Sequence, residues 1–244
     1  MVENRYDDAD FFEKYSQMDR SVKGLDGAGE WQTLQTMLPD FSGKEVLDLG
    51  CGFGWHCIYA AEHGAKSVVG VDISEKMLEQ ARAKTEFDNI HYVKSSIEAA
   101  EFNDNQFDSV ISSLALHYVE SFEQITKKVR RMLKPGGKFV FSVEHPVFTA
   151  EGSGDWIYDA RHEIDHFPVD HYFFEGKRTP HFLGEEVVKY HKTLTTYLNG
   201  LLQNGFRIDS LAEPIPPENM MEIPGMKDEL RRPMMLIIAA TNEK

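Results

Sequence analysis

A doubly wound α/β fold around a parallel sheet is what this 244-residue chain predicts, and three observations carry that reading. Short apolar runs alternate with helix-length amphipathic segments from Lys44 to Val143, the rhythm of βαβ units. The first run leads into three glycines, Gly50, Gly52 and Gly54, between a strand and a helix. With 41% hydrophobic and 27% charged residues, the chain is long enough to bury one large core without disulfides or metal.

Residues 1–43 form an N-terminal segment of aromatics, charges and glycines, with a helix predicted at Trp31 to Leu38 and stopped by Pro39. Glu45 to Leu49 reads as a buried parallel strand and Trp55 to His63 as the next helix, with Gly64 just past its end. Ser67 to Val71 is the second strand. Ser74 is an N-cap for a helix to about Thr85, with Met77, Leu78 and Ala81 on one face. Strands His91 to Lys94 and Phe107 to Ser112 follow. A helix from Ser121 to Leu133, a turn at Lys134-Pro135-Gly136-Gly137 and a fifth strand, Lys138 to Val143, complete a core spanning 44–145.

Beyond His145 the rhythm breaks. Residues 146–192 are rich in His, aromatics and Gly, too long for an ordinary connection, and predict an inserted substrate cap. Tyr172 to Phe174 and Glu186 to Tyr190 are its candidate hairpin strands. Residues 193–244 return to regular structure: a helix at Leu194 to Gln203, a strand at Phe206 to Leu211, a proline-marked loop, and a buried strand at Met234 to Ala240.

Lys plus Arg total 26 and Asp plus Glu total 40, for a formal net charge of −14. Such a surface repels phosphate backbones, so no nucleic-acid partner is expected. The compact basic run Lys127-Lys128 with Arg130-Arg131 lies on a predicted helix and reads as a solvated face. No apolar run approaches the roughly 18 residues that cross a bilayer, so membrane insertion is not expected either. The N-terminus lacks the basic stretch and apolar core of a signal peptide, which makes the cytoplasm the expected compartment. Cys51 and Cys57 are then expected as free thiols.

Three signals in order carry the chemistry. In Asp48-Leu49-Gly50-Cys51-Gly52-Phe53-Gly54 the glycines let the backbone turn sharply and approach a ligand closely. Asp72, 18 residues after Gly54, ends the second strand, where a carboxylate accepts hydrogen bonds from both hydroxyls of a ribose. Ser95-Ser96-Ile97 follows the third strand where an adenine edge would lie, with Ile73 and Ile97 placed for its two faces and Met77 on the adjoining helix. The spacing Gly50-x-Gly52-x-Gly54 lacks the third glycine position of a dinucleotide fingerprint. Asp48 suits a cationic amino-acid moiety better than a pyrophosphate, which favours S-adenosylmethionine (SAM), with its sulfonium and ammonium, over NAD.

The segments VLDLGCGFG, GVDIS, FDSVISSLALHYV and LKPGGKFVFSVEHP together resemble class I SAM-dependent methyltransferases, in the small-molecule branch related to ubiquinone/menaquinone-type enzymes. The resemblance covers residues 40–145 best. It implies a Rossmann-like sheet of seven mostly parallel strands, with Met234 to Ala240 as the one antiparallel strand. It also implies backbone contacts to SAM from Gly50, Cys51 and Gly52, a ribose contact from Asp72, adenine contacts from Ser96 and Ile97, and Leu114 at the methionine end. Ser96 departs from the Asp that many such enzymes carry there.

Methyl transfer is an in-line displacement that needs alignment, plus a base where the nucleophile is protonated. His145, after the fifth strand, is the candidate base or positioning group, and His117 the second. Tyr15 and Trp31 precede the first strand and are candidates to fold over SAM. His162, Asp165, His166, Asp170 and His171 match no standard zinc spacing, so no metal is expected. Trp156, Tyr158, Tyr172 and Phe173 suit a wall for the acceptor. The expected activity is methyl transfer from SAM to oxygen or nitrogen of a small molecule, leaving S-adenosyl-L-homocysteine. A non-catalytic SAM- or nucleotide-binding module, an NAD-dependent oxidoreductase and a homodimer remain open alternatives.

Overall fold

A computed structural model describes residues 4–244. Seven strands form one sheet: β1 (Glu45–Leu49), β2 (Ser67–Asp72), β3 (Ile90–Lys94), β4 (Phe107–Ser113), β5 (Leu133–Glu144), β6 (Phe206–Ala212) and β7 (Met235–Asn242). Their order is β6-β7-β5-β4-β1-β2-β3. β7 runs antiparallel to both neighbours, and the pairings among β1 to β5 are parallel. The order reverses between β1 and β4, which opens a crevice at the carboxyl ends of those strands.

The longer helices are α1 (Ala9–Ser16), α2 (Trp31–Met37), α3 (Trp55–Glu62), α4 (Glu75–Lys84), α5 (Phe122–Met132) and α6 (Leu194–Gln203). Side-chain alternation along β5 shows why both sheet faces need helices. Phe139, Phe141 and Val143 pack with Phe122 of α5 and Tyr197 of α6, whereas Val140 packs with Trp31 and Leu34 of α2. Ser74 caps α4 as expected, its Oγ accepting from Met77 N at 3.2 Å.

Two expectations are corrected. The predicted turn at 134–137 lies inside β5, because Leu133 already pairs with Phe107 before Lys138 pairs with Ser109. Lys134 holds this bulge, donating to Asp108 Oδ2 at 2.8 Å and Glu45 Oε2 at 3.0 Å. In the cap, Tyr172 to Phe174 is no strand. Tyr172 and Phe173 sit in a turn closed by Phe174 N donating to His171 O, and the Arg178 guanidinium gathers the carbonyls of Ala150, His171 and Phe174. Lys189–His191 therefore pairs with Gly176–Arg178 instead.

Two further short hairpins complete the cap, Ile157–Tyr158 with Ile164–His166 and His181–Phe182 with Glu185–Glu186. Two successive cations pin it to the C-terminal region, Arg231 by donating to Ile164 O at 3.3 Å and Asp165 O at 2.6 Å. The Arg232 guanidinium lies 4.7 Å from the Phe148 ring, 4.8 Å from Phe167 and 5.1 Å from Trp156. The N-terminal segment is fixed at the other side: Asp8 caps α1, and Asp7 accepts from Ser74 Oγ at 2.6 Å and Lys76 N at 3.2 Å.

Candidate functional site

The glycine loop occupies the crevice between β1 and β4. Gly50 (φ +78°) can carry no side chain, because a Cβ there would stand 2.3 Å from Ala115 Cβ. Gly52 (φ +51°) faces open space, so its backbone is bare towards the cleft. Asp72 orders the loop from β2. Its Oδ2 accepts from Gly52 N and its Oδ1 from Ser74 N, each at 2.9 Å. Burial pushes the Asp72 carboxyl upward against the lowering effect of those N–H groups. Each oxygen keeps acceptor capacity for a ligand.

Across the crevice, β4 is followed directly by Leu114, a non-glycine residue held at φ +50°. Its N–H donates to Ser142 O at 3.0 Å, with Ser142 Oγ at 3.1 Å, fixing a costly backbone state beside the cleft. The cleft encloses about 920 Å³ counting its open mouth. Its floor and walls bring together Gly50, Gly52, Asp72, Ile73 and Met77, and further along Ser96, Ile97 and Leu114.

The roof comes from the N-terminal segment. Tyr15 lines the cleft, edge-on to Tyr6 at 5.2 Å. Tyr6, Arg20 and Tyr118 line it too, and the hydroxyls of Tyr6 and Tyr118 meet at 2.9 Å. Burial pushes both phenols above their ordinary range, so they stay protonated. Arg20 spends Nη2 on Glu30, at 2.8 and 2.9 Å from its two oxygens. Val187 and Val188 close the cap side, beside Val119. The sequence reading missed these residues; their only signal is the aromatic and charged character of 5–20 and the position of Tyr118 next to His117.

Other expected residues lie outside the cleft lining. Asp48 is buried under the loop, where Cys57 Sγ donates to its Oδ2 at 3.4 Å and its Oδ1 has no partner. Burial raises its carboxyl to about 7. Cys51 packs inward with Cys57, and both are free thiols. His145 caps the short helix Pro146–Thr149 by accepting from Val147 N at 3.0 Å, and its Nε2 meets Glu213 Oε1 at 2.8 Å. His117 accepts from Glu144 N at 3.3 Å, and burial lowers it to about 3. Trp31 packs in the α2 core against Tyr59 at 4.8 Å. The histidines and acids of the cap do not converge: among the described residues no three His, Cys, Asp or Glu side chains are grouped to hold a metal.

The methyltransferase-domain family matches residues 47–141, the stretch from β1 to β5. A solved structure of an S-adenosylmethionine-dependent methyltransferase from Listeria monocytogenes is 56% identical, with a TM-score of 0.87, covering 91% of this chain and 100% of that one. The chain belongs to the SAM-dependent methyltransferases. Another such methyltransferase structure, from Mesorhizobium loti, is 43% identical over 89% of this chain and 100% of its own, with a TM-score of 0.82. Malonyl-[acyl-carrier protein] O-methyltransferase of Enterobacter lignolyticus is 38% identical over 45% of this chain, which spans 42% of that relative's length.

The cofactor of this methyltransferase is S-adenosylmethionine. The observed residues fit it: the backbone of Gly52 is bare towards the cleft, and the Asp72 carboxylate beside it keeps lone pairs for a diol. Among the described residues no helix is long and apolar enough to cross a membrane.

Proposed function

We propose that this methyltransferase acts on an oxygen or nitrogen atom of a small acceptor enclosed between Tyr118, Val119 and the cap segment Val187-Val188. The observation that carries the reading is that these residues line the same cleft as Gly50, Gly52 and Asp72, so donor and acceptor share one enclosed space. The O-methyltransferase among its relatives supports oxygen as the acceptor atom.

S-adenosylmethionine supplies an electrophilic methyl group on a sulfonium. The chain's residues bind and orient. Asp72 accepts from the ribose hydroxyls, Ser96 and Ile97 meet the adenine with Ile73 and Met77 beside them, and the backbone of Gly50, Cys51 and Gly52 holds the amino-acid part. Leu114 meets that end from β4, Tyr15 covers it, and Asp48 lies buried beneath, its carboxyl raised to about 7 by burial. Arg20 keeps its remaining N–H groups for an anionic group in the cleft. Tyr6 and Tyr118, being protonated, position the acceptor by hydrogen bonding and do not serve as bases. His145 and His117 hold the end of β5 in this reading, since other protein groups already engage them.

Incubating a metabolite extract with the enzyme and deuteromethyl-SAM, followed by untargeted mass spectrometry, should yield a labelled small molecule carrying the label on oxygen or nitrogen. Calorimetry in parallel should show SAM and S-adenosylhomocysteine binding that Asp72→Ala weakens by about tenfold or more. Label found only on protein, or on carbon, would refute the acceptor assignment even where the cofactor binds.

A further inference from the structure

A second cavity lies at the opposite end of the sheet, where β4 and β5 begin and β7 ends. It encloses about 800 Å³ counting its opening, and four of its lining residues are the cations Lys127, Arg130, Arg131 and Lys244. In a chain of net charge −14 this concentration of positive charge stands apart from the general surface.

Two of the four are already neutralised. Lys127 pairs with Glu123 at 2.5 Å, and Arg131 pairs with Glu101 and with Asp104 at 3.3 Å. The other two form no ion pair among the described residues, although Asp104 also lines the pocket and its charge acts on Lys244. Lys244 Nζ donates only to neutral acceptors, Asn105 Oδ1 at 2.9 Å, Arg131 O at 3.0 Å and Leu133 O at 3.1 Å. Burial and the field of Arg130 lower its affinity for a proton. The Nε of Arg130 is buried with no hydrogen-bond partner at all.

An orphaned, buried guanidinium N–H is costly, and it marks a guanidinium that no protein acceptor satisfies at Nε. The backbone is shaped around this one. Gly205 sits at φ +71° just past the end of α6, and a Cβ there would come within 2.9 Å of Arg130 Nε and Nη2, so the guanidinium packs against bare backbone.

We propose that this pocket binds a phosphate-class oxyanion, either inorganic phosphate or the phosphate of a small ester, with Arg130 donating to it and Lys244 supplying charge. The fork of guanidinium donors matches two oxygens of a tetrahedral anion. The site is separate from the cofactor cleft and owes nothing to the identity of the methyl acceptor. It also gives the basic run of α5 a use beyond solvation.

The test follows the Arg130 Nε–H resonance of the whole chain by heteronuclear NMR during titration with inorganic phosphate and, in parallel, with glycerol phosphate, against chloride at matched ionic strength. A saturable shift with either phosphate and none with chloride is expected, and the tighter of the two identifies the source. Arg130→Gln should weaken phosphate binding, followed by 31P NMR, by about tenfold or more, and Lys244→Gln by less. SAM affinity should be unchanged in both variants, which verifies their folding. An unresponsive resonance, an equal response to chloride, or undiminished phosphate affinity in folded Arg130→Gln would overturn the proposal.

Discussion

Replacing Asp48 by Asn should change how the stability of this enzyme depends on pH. Asp48 is 1% exposed, its Oδ1 has no partner, and its Oδ2 accepts only a long thiol hydrogen bond. Burial raises the carboxyl to about 7 from an ordinary 3.8, opposed by Cys57 and assisted by the Asp72 charge. The folded state therefore holds a proton that the unfolded state has lost across roughly pH 4 to 7, so this group makes stability fall as pH rises through that window. Linkage gives a differential cost of about 2–3 kcal/mol between pH 5 and pH 8. Buried His56 and His117, lowered to about 4 and about 3 by burial, work in the opposite direction below about 6.5, where the unfolded histidines take up protons first. Comparing variant with parent removes their contribution. Urea unfolding of both at pH 5 and pH 8 should show the variant gaining about 2–3 kcal/mol on the parent between the two conditions. Parallel curves, with the same gap at both pH values, would refute an ionising, desolvated Asp48.

Three more outcomes follow from the geometry. Gly52→Ala places its methyl in open space at positive φ, so it should cost only about 1 kcal/mol of stability while sharply weakening SAM binding; Gly50→Ala, driven into Ala115, should cost about 2 kcal/mol or more. Thermal melts and calorimetry on the pair separate ligand crowding from fold damage. Lys189→Met leaves the buried Glu144 carboxylate without its partner at 2.5 Å and should destabilise by about 3–5 kcal/mol in denaturant titration. Tyr118→Phe removes the hydroxyl contact to Tyr6 and should raise KM for the acceptor while the pH profile of kcat keeps its shape.

The strands from β1 to β4 and β5 from Lys138 onward were legible from their apolar runs, whereas Pro135, Gly136 and Gly137 disguised the start of β5 as a turn; α6 was legible from end to end because Thr193 caps it and Gly205 follows it. The cap was not, because pairings of two or three residues carry no period. There, Arg178 gathering three carbonyls outweighs the strand character of Tyr172 to Phe174. The glycine loop, Asp72 and Ser96-Ile97 could be located because each directly follows a strand of known direction. Tyr6, Arg20 and Tyr118 could not, since nothing local brings residue 6 to residue 118. His145 follows β5 directly, but the chain turns at once into a helix whose first turn it caps, and its Nε2 lies 2.8 Å from Glu213 Oε1.

The position of β7 has a consequence for biosynthesis. It is the latest of the seven strands in chain order, yet it lies inside the sheet, hydrogen-bonded to β5 on one side and β6 on the other. While the polypeptide is being made, the outer edge of β5 has no partner until β7 emerges, and β6 has nothing to join. Arg232, which precedes β7 closely, emerges just as late, so the aromatic cage of the cap is empty during the same interval. A nascent enzyme with its glycine loop fully synthesised thus still presents an apolar strand edge to its surroundings, a state in which neighbouring chains or chaperones compete with the protein's own final strand.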